Sequence, residues 1–259
     1  MPCASADPVC EISGLTRKIM KKKQPPVTPI QNCWCLDLHT LEYPGALKLQ
    51  QAIVRARVEK RISRDIILLL EHAPVFTLGR RGGAKNLTVS DAFLKKSGIQ
   101  VLQVERGGDI TYHGPGQMVV YPILDLDRRR LGITELVFML EEVMIRVSES
   151  VGVRADRNSR NRGVWVGNKK LGSIGLAIRK GFSFHGMALN VNLSMAPFKW
   201  IHPCGLKDIS MTSLEKELPK RPSMQTVRKL TKQHLGDVFG CHLEEITRER
   251  VEEQIGLEG

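Results

Sequence analysis

Apolar residues along this chain recur with two different periods, one typical of helices and one typical of strands. A helical stripe follows Pro44, and a second, longer one begins at Thr134. Between them, the uninterrupted apolar run Ile66–Leu70 indicates a buried strand. The two stripes consist of Ala46, Leu49, Ile53 and Ala56, and of Leu136, Leu140, Val143 and Val147.

Three consecutive strands are predicted in the second half of the chain, with bends at Gly167-Asn168 and at Gly181. A last helix is predicted near Met224–Val238. Strands outnumber helices and several are joined as hairpins. The predicted fold class is therefore α/β of the α+β type, with a mixed β-sheet flanked by helices. The three strands cover Gly163–Val166, Leu171–Ile178 and Phe182–Leu193.

The chain is long enough, at 259 residues with 42% hydrophobic content, to bury one full core. We divide it into a basic, flexible N-terminal tail over 1–30, a domain over 31–245 and a C-terminal extension over 246–259. The tail holds Lys21-Lys22-Lys23 and several prolines without sustained periodicity, which favours disorder. A mitochondrial presequence is the alternative, although the tail is poor in Arg and Ser for that role.

Cysteine usage predicts a reducing compartment. The six cysteines show no disulfide framework, and no signal-peptide pattern is present, so we expect free thiols in the cytoplasm. Cys33-Trp34-Cys35 is a C-x-C pair with no second pair nearby, which argues against a zinc site. No apolar stretch approaches the length of a bilayer span, so no membrane partner is expected.

Positive charge is concentrated in one segment. The net charge is +12, and +7 of it arises between Arg154 and Gly181, where eight basic residues face one acid, Asp156. A surface of one sign attracts an anionic partner: nucleic acid, a membrane or an acidic protein. A basic face that only improves solubility explains the same run. With 5% aromatic residues, the chain offers few platforms for stacking single-stranded bases.

The run Arg106–Gln117 is dense in Gly and Pro, which make up five of its twelve residues. Glycine lets backbone N–H groups approach a ligand and adopt positive φ without steric cost. A glycine-rich hairpin would explain an isolated Gly-Gly pair. This run also carries Arg106, Tyr112, His113 and Gln117, whose side chains a turn does not require. It therefore predicts a binding site.

Cys204 differs from the other cysteines in its sequence context. Pro203 and Gly205 flank it, which predicts an exposed turn, and a thiol there is available as a nucleophile once cationic neighbours lower its pKa. Spacing alone suggests a histidine base, with His202, His113 and His185 as candidates. Strand alternation also places His185 on the same face as Met187, Leu189 and Val191, which favours a core histidine instead.

Several blocks of the chain resemble, in order and spacing, the signature of the lipoyl(octanoyl) transferase family. The resemblance runs from about Cys35 to about Leu235. Several ordered blocks are far more specific than one short motif. The matching blocks are Thr77–Arg80 with Asn86-Leu87, Arg106–Gln117 with Tyr121–Leu126, Lys170–Leu176, Ser183–Asn192 and Pro203–Gly205.

The resemblance implies the fold of biotin and lipoate protein ligases, and an octanoyltransferase catalytic domain over 31–245. It implies transfer of an octanoyl or lipoyl group from acyl carrier protein, through a thioester on Cys204, to a lysine of a lipoyl domain. This is the first step of endogenous protein lipoylation. The implied acceptors are 2-oxo acid dehydrogenases and the glycine cleavage H protein, with no cofactor, metal, nucleic acid or membrane involved.

The resemblance also implies roles for individual residues. Lys170, and not a histidine, lowers the pKa of Cys204 and serves as general base. Backbone N–H groups of the glycine-rich run are expected to stabilise the developing oxyanion. The implied substrate-binding residues are Arg106, Gly107, Gly108, Asp109, Ile110, Thr111, Tyr112, His113, Ser173, Ile174, Gly175, Gly186, Met187 and Ala188.

Two other functions remain open from the sequence. An ATP-dependent lipoate or biotin ligase would share the fold, but its chemistry requires no catalytic cysteine, so Pro203-Cys204-Gly205 argues against it. A non-catalytic binding module that uses the basic segment is the second alternative. Octanoyl transfer in the absence of ATP would distinguish all three.

Overall fold

The computed structural model describes residues 32–83, 86–159, 161–201 and 209–256. These residues form twelve strands, seven α-helices and a 3₁₀ helix at Ala196–Trp200. The strands are β1 Cys33–Thr40, β2 Ile66–Glu71, β3 Val75–Leu78, β4 Gln100–Gln103, β5 Ile110–His113, β6 Gln117–Ile123, β7 Asp156–Arg157, β8 Val164–Val166, β9 Lys169–Arg179, β10 Phe182–Asn190, β11 Ser210–Met211 and β12 Leu243–Glu245. The helices are α1 Tyr43–Val58, α2 Asp91–Lys96, α3 Leu126–Arg129, α4 Ile133–Ser150, α5 Leu214–Glu217, α6 Met224–Phe239 and α7 Arg248–Ile255.

The larger sheet is mixed, as the sequence predicts. Its strand order is β12-β1-β2-β6-β10-β9-β8-β7, and β11 pairs with β9. The pairs β12–β1, β1–β2 and β11–β9 are parallel, and the others are antiparallel. The predicted α+β fold class with a mixed sheet between helices is confirmed.

Helices cover both faces of this sheet. Along β2, Ile67 and Leu69 pack into the core beneath α4 and α6, whereas Ile66, Leu68 and Leu70 pack into the core beneath α1 and α7. Successive side chains of a strand point to opposite faces, so a strand between two helical layers must be apolar at every position. This explains the uninterrupted apolar run.

A smaller sheet, in the order β4-β3-β5, lies beside the larger one. Its strand β5 falls within the Arg106–Gln117 run, so that run is a loop only at its two ends. The density of Gly and Pro concealed four residues, Ile110–His113, that alternate between two faces of a strand. The strand matters for the site because it fixes which side chains of the run point the same way.

The end of the chain contains more structure than periodicity predicts. The helix expected to be the last, α6, is followed by β12 and α7. The strand is too short to show alternation, and α7 buries only Val251 and Ile255, beneath the layer that holds α1. These two side chains belong to the segment 246–259, which was predicted to be an extension. The predicted tail over 1–30 lies outside the described residues.

Candidate active site

A cavity of about 290 Å³ lies where the smaller sheet meets β9 and β10 of the larger one. This volume is close to the lower limit of small-molecule sites. Three of its lining residues, Arg81, Ile133 and Arg162, are exposed and mark its mouth. The lining consists of Tyr43, Arg81, Arg106, Gly107, Gly108, Asp109, Ile110, Thr111, His113, Tyr121, Ile133, Val137, Asn161, Arg162, Lys170, Ser173, Ile174, Gly175, Leu176, His185, Gly186, Met187 and Ala188.

Most of the predicted substrate-binding residues line this one cavity. Tyr112 does not: its ring packs against Phe76 and Phe198, with centroids 5.3 and 5.6 Å away, in the core of the smaller sheet. Alternation along β5 places Tyr112 on the opposite face from its neighbours Thr111 and His113, which line the cavity, as does Ile110 at the start of the strand. Cys204, like its neighbour His202, lies outside the described residues.

Two glycines allow close packing at the cavity wall: Gly186 lets β10 approach β6, and Gly175 lets β9 approach the loop that carries Arg106. Gly175 and Gly186 are paired across β9 and β10. A Cβ on Gly186 would lie 2.1 Å from the backbone oxygen of Val120, and one on Gly175 would lie 2.9 Å from Cδ of Arg106. Any side chain at either position would collide with its neighbours, so only glycine permits this packing at the cavity wall.

The Arg106 side chain holds the loop at the cavity. It is buried, and its guanidinium donates to the backbone oxygen of Thr77 at 2.7 Å and to that of Gly107 at 3.0 Å. The Gly107 N–H donates to the oxygen of Leu176 at 2.7 Å. That donor is therefore already used and is unavailable to an oxyanion. The Asp109 carboxylate is fixed in turn by Nδ2 of Asn86 at 2.7 Å.

Lys170 lies at one end of the cavity and is almost completely buried, with 2% exposure. Its Nζ donates to Oδ1 of Asn161 and lies 5.4 Å from the centroid of the Trp165 ring. An amide oxygen and an aromatic face are both favourable neighbours for a buried ammonium group. Strand β11, which follows the segment that contains Cys204, pairs with β9 at this point, with Met211 opposite Lys170.

Aromatic and imidazole side chains form the other, buried end of the cavity. The Tyr43 hydroxyl lies 3.3 Å from Nδ1 of His185. Behind them, Nδ1 of His72 lies 2.7 Å from the backbone oxygen of Leu41, so it carries the proton and donates. The His72 Nε2 then accepts from the Tyr121 hydroxyl at 2.8 Å. His113 is oriented separately, by the amide oxygen of Gln117 at 2.7 Å from its Nδ1.

Burial keeps these groups uncharged at neutral pH. Desolvation lowers the pKa of His185 to about 3 and that of His72 to about 4, and it lowers the pKa of His113 well below the usual range. It raises the pKa of Tyr43 to about 12. Imidazoles with such depressed pKa values are weak bases. The histidine bases suggested by spacing at positions 113 and 185 therefore suit that role poorly.

His185 also has an unusual backbone conformation, with a φ of 54° in the middle of β10. Non-glycine residues rarely adopt such angles, and those that do are common at functional sites. The Gln50 side chain stabilises the conformation by accepting the His185 N–H at 2.8 Å. Local alternation is disturbed as a result, and His185 lines the cavity together with the three residues that follow it. It is a cavity residue and not a simple core histidine.

The basic segment Arg154–Gly181 does not form one continuous surface. Much of it is β9, an eleven-residue strand whose two ends lie about 33 Å apart. At one end Lys169 pairs with Glu217, and at the other Arg179 pairs with Glu105. Arg157 forms ion pairs with two glutamates of α4. Charge that is contiguous in sequence is divided in space, and among the described, exposed basic residues of this segment only Arg162 lines the cavity.

Sequence comparison relates the chain that forms this cavity to a known enzyme family. Residues 42–236 match the lipoyl protein ligase A/B catalytic domain. The chain belongs to this family. It is 48% identical over 207 residues to the octanoyltransferase of Desulfotalea psychrophila, which covers 79% of this chain and 93% of that protein. It is 47% identical over 216 residues to the octanoyltransferase of Caldicellulosiruptor bescii, over 83% and 94% of the two chains. The chain is an acyltransferase of the octanoyltransferase family.

Solved structures support the same fold. A lipoate-protein ligase A bound with ATP superposes with a TM-score of 0.71 at 18% identity, over 86% of this chain and 93% of that one. A bi-partite lipoate protein ligase from Thermoplasma acidophilum gives 0.69 at 18% identity, over 87% and 91%. At this identity the similarity concerns the fold alone. Within the described part of the octanoyltransferase-family chain, no helix combines the length and hydropathy that a bilayer crossing requires.

Sequence reasoning missed several residues of the cavity. Tyr43 begins α1, Tyr121 lies within the buried strand β6, and Asn161 lies in the loop before β8. Tyr43 and Asn161 occur in no motif, and the family block that begins at Tyr121 implied no role for that residue. Each of the three reaches the cavity through the packing of its element. The others that were missed are Arg81, Ile133, Val137 and Arg162.

Proposed function

We propose that this protein transfers an octanoyl group from acyl carrier protein to a lysine of a lipoyl domain, through a thioester on Cys204. The observation that carries the proposal is the buried Lys170 amine at one end of a partly apolar cavity. The cavity wall includes Ile174, Met187 and Leu176. An apolar wall binds an acyl chain at about 0.8 kcal/mol per buried methylene. A nearby cation promotes the thiolate form of a cysteine.

The chemistry needs no external energy source. The Cys204 thiolate attacks the carbonyl carbon of the donor thioester, and the bond to the carrier's thiol breaks. One thioester replaces another, and the departing thiolate takes up a proton from the Lys170 ammonium group. The lysine amine of the lipoyl domain then attacks the acyl-enzyme, which forms an amide and releases the Cys204 thiolate. The Lys170 amine, neutral after the first step, accepts the proton that the attacking amine loses, which restores the ammonium–thiolate pair.

The uncharged histidines are consistent with Lys170 as the base of the proposed reaction. Because their pKa values lie far below 7, they do not compete with Lys170 for the proton of the thiol or of the amine. They and the two tyrosines shape the buried end of the cavity. Their contribution to transfer is to bind and orient the acyl chain.

The test mixes purified protein with octanoyl-acyl carrier protein and a lipoyl domain in the absence of ATP. We expect octanoylation of the lipoyl-domain lysine and, before acceptor is added, one octanoyl adduct on Cys204, located by peptide mass spectrometry. The buried thiols Cys33, Cys35 and Cys241 are internal controls and should carry none. A dependence on ATP would favour a ligase instead. Full activity of Cys204→Ser would exclude the covalent mechanism.

A further inference from the structure

One exposed apolar side chain, Ile133, lies at the mouth of the cavity, and a second, Phe138, lies on the same helix. In the part of the chain that the structure describes, only Phe93, Ile133 and Phe138 are large, apolar and exposed. Phe93 packs edge-on against Trp200. Ile133 and Phe138 lie in the first two turns of α4 and are 55% and 51% exposed. Five residues apart on one helix, the two side chains project in directions about 140° apart, so each is connected to the mouth by its own contacts.

Phe138 is held in place by a charged neighbour. The guanidinium carbon of Arg157 lies 3.7 Å from the centroid of its ring. Arg157 is itself anchored by Glu142 at 2.7 Å and by the buried Glu141 at 3.3 Å. A fixed aromatic ring loses little conformational entropy when a partner covers it, and aromatic and arginine side chains dominate the energetics of interfaces.

Phe138 is connected to the mouth of the cavity through Arg157. Arg157 pairs with Glu141, and Glu141 accepts the N–H of Gly163, the residue that follows the exposed Arg162. Ile133 lines the cavity, and so does Val137, one residue before Phe138. The exposed Arg81 and Arg162 lie at the same mouth. On α4 the exposed acid near this surface is Glu135, because Glu142 is neutralised by Arg146 and Arg157. The charge and the apolar side chains together suit an acidic protein that exposes some apolar surface.

We propose that this α4 docking surface, formed by Ile133, Phe138, Arg81 and Arg162, binds the acidic acyl carrier protein that delivers the octanoyl group. This rests on the proposed function for the identity of the partner. Only the donor brings an acyl chain from outside, and that chain needs an apolar path from the surface into the cavity. Ile133 and Val137 provide one at the mouth, and Phe138 lies on the same helix, in contact with Arg157. The donor carrier therefore docks against α4.

The first experiment measures binding independently of catalysis. Carrier protein is titrated against wild type, Phe138→Glu, Phe138→Leu and the control Gln225→Glu, which adds the same charge at an exposed position of α6. We expect Phe138→Glu to raise Kd at least about 10-fold, as the loss of an interface anchor would. Phe138→Leu and Gln225→Glu should stay close to wild type. Equal Kd values for Phe138→Glu and wild type would overturn the proposal.

The second experiment separates docking from chemistry. With octanoyl-carrier protein as donor, Phe138→Glu should raise KM and leave kcat nearly unchanged. With the octanoyl thioester of N-acetylcysteamine, which lacks a carrier, the same variant should resemble wild type. Equal losses with both donors would overturn docking in favour of a structural role. If wild type binds carrier protein at this surface but transfers nothing, the proposed function fails and the docking surface stands.

Other occupants give different results. If Phe138→Glu affects only the KM for the lipoyl domain, the surface belongs to the acceptor, and the carrier proposal is wrong. If wild type self-associates in sedimentation experiments and Phe138→Glu abolishes this without affecting carrier binding, the surface is an interface between copies of the chain. Either result would overturn the assignment to the donor.

Discussion

The two ends of the cavity differ in what surrounds their buried ionisable groups. At the buried end, His185 and Tyr43 contact each other, and desolvation keeps both uncharged. At the other end, Lys170 is equally inaccessible, but its amine contacts an amide oxygen and an indole face. Burial alone shifts the pKa of a group so that the group stays uncharged near pH 7. Burial next to groups that favour the charged form opposes this shift. We therefore propose that the reactive end is the one with Lys170.

Distance reinforces this separation. His185 is paired with Leu176 across β10 and β9, and Leu176 lies six residues beyond Lys170 on the same strand. At about 3.3 Å per residue, the two ends lie about 20 Å apart along the sheet. A substitution at one end therefore leaves the other undisturbed, and the two ends can be tested separately.

The largest expected effect is that of Lys170→Met. The variant keeps an unbranched apolar side chain but removes the amine, so transfer should fall by about 10²–10⁴-fold, the usual contribution of a general base. Alkylation of Cys204 should also require a higher pH, because the thiolate loses its cationic neighbour. Single-turnover transfer and the pH dependence of alkylation are the measurements.

Lys169→Met is the matched control for Lys170→Met. Lys169 is the neighbour on β9, but its exposed amine pairs with Glu217, so transfer should stay near wild type. His202→Ala tests the alternative base. If the histidine variant shifts the alkylation profile and Lys170→Met does not, the comparison between the two ends is wrong.

The next effect concerns the close approach of Gly186 on β10 to Val120 on β6. Gly186→Ala would place a Cβ 2.1 Å from the Val120 oxygen in the middle of the sheet. We expect a loss of roughly 1–3 kcal/mol or more in the free energy of unfolding, typical of overpacking. Gly45→Ala is the control, since its Cβ would meet Leu41 at 3.5 Å within helix α1. It should stabilise by about 0.5–1 kcal/mol. Urea denaturation measures the free energy of unfolding of both variants. Equal effects of the two substitutions would contradict the close approach of Gly186 to Val120.

The buried histidines predict how stability depends on pH. The pKa values of His185 and His72 in the folded protein lie below those of the unfolded chain, so below about pH 6.5 only the unfolded chain takes up their protons. Stability should fall as pH decreases from about 6.5 towards 4, by about 1.4 kcal/mol per pH unit for each such histidine.

Urea midpoints at a series of pH values measure this slope. His72→Gln should reduce it, whereas His39→Gln, at an exposed imidazole, should not. A stability that stays constant over this pH range would show that the buried end is not desolvated as described.

The smallest expected effects come from removing hydroxyls at the buried end. Tyr121→Phe leaves Nε2 of His72 without its donor at 2.8 Å, and Tyr43→Phe leaves Nδ1 of His185 without its partner at 3.3 Å. We expect losses of about 1–3 kcal/mol for the first and about 1 kcal/mol for the second, because the shorter bond is the stronger. Thermal denaturation distinguishes them. If Tyr43→Phe costs more stability than Tyr121→Phe, the Tyr43–His185 hydrogen bond at the cavity surface contributes more than the Tyr121–His72 bond behind it.

The fold was largely predictable because its main elements bury one face or both. The stripe of α1, including Ala46 and Ile53, is buried as predicted, and α4 begins at Ile133, one residue earlier than expected. Strand β5 was missed since Gly and Pro surround it. Elements β12 and α7 were missed because they bury too few side chains to produce a period.

The candidate site was predictable only in part. The glycine-rich run and the Lys170 block occur as ordered motifs, and they do line the cavity. Tyr43, Tyr121 and Asn161 come from three separate elements, and no local pattern connects them. Tyr112 lies in the run but points away, since side chains on a strand alternate regardless of the motif around them.

The sequence by itself determined the helical and strand periods, the requirement for glycine beside the cavity, and the set of chemically capable side chains. Only the tertiary structure decided which of those side chains lie at the cavity and what surrounds them. The pKa of a histidine or the environment of a lysine depends on desolvation and on partners brought from distant segments, such as Leu41 for His72 and Asn161 for Lys170. Those contacts form only when the sheet and its helices pack together, so they cannot be predicted from periodicity along the chain.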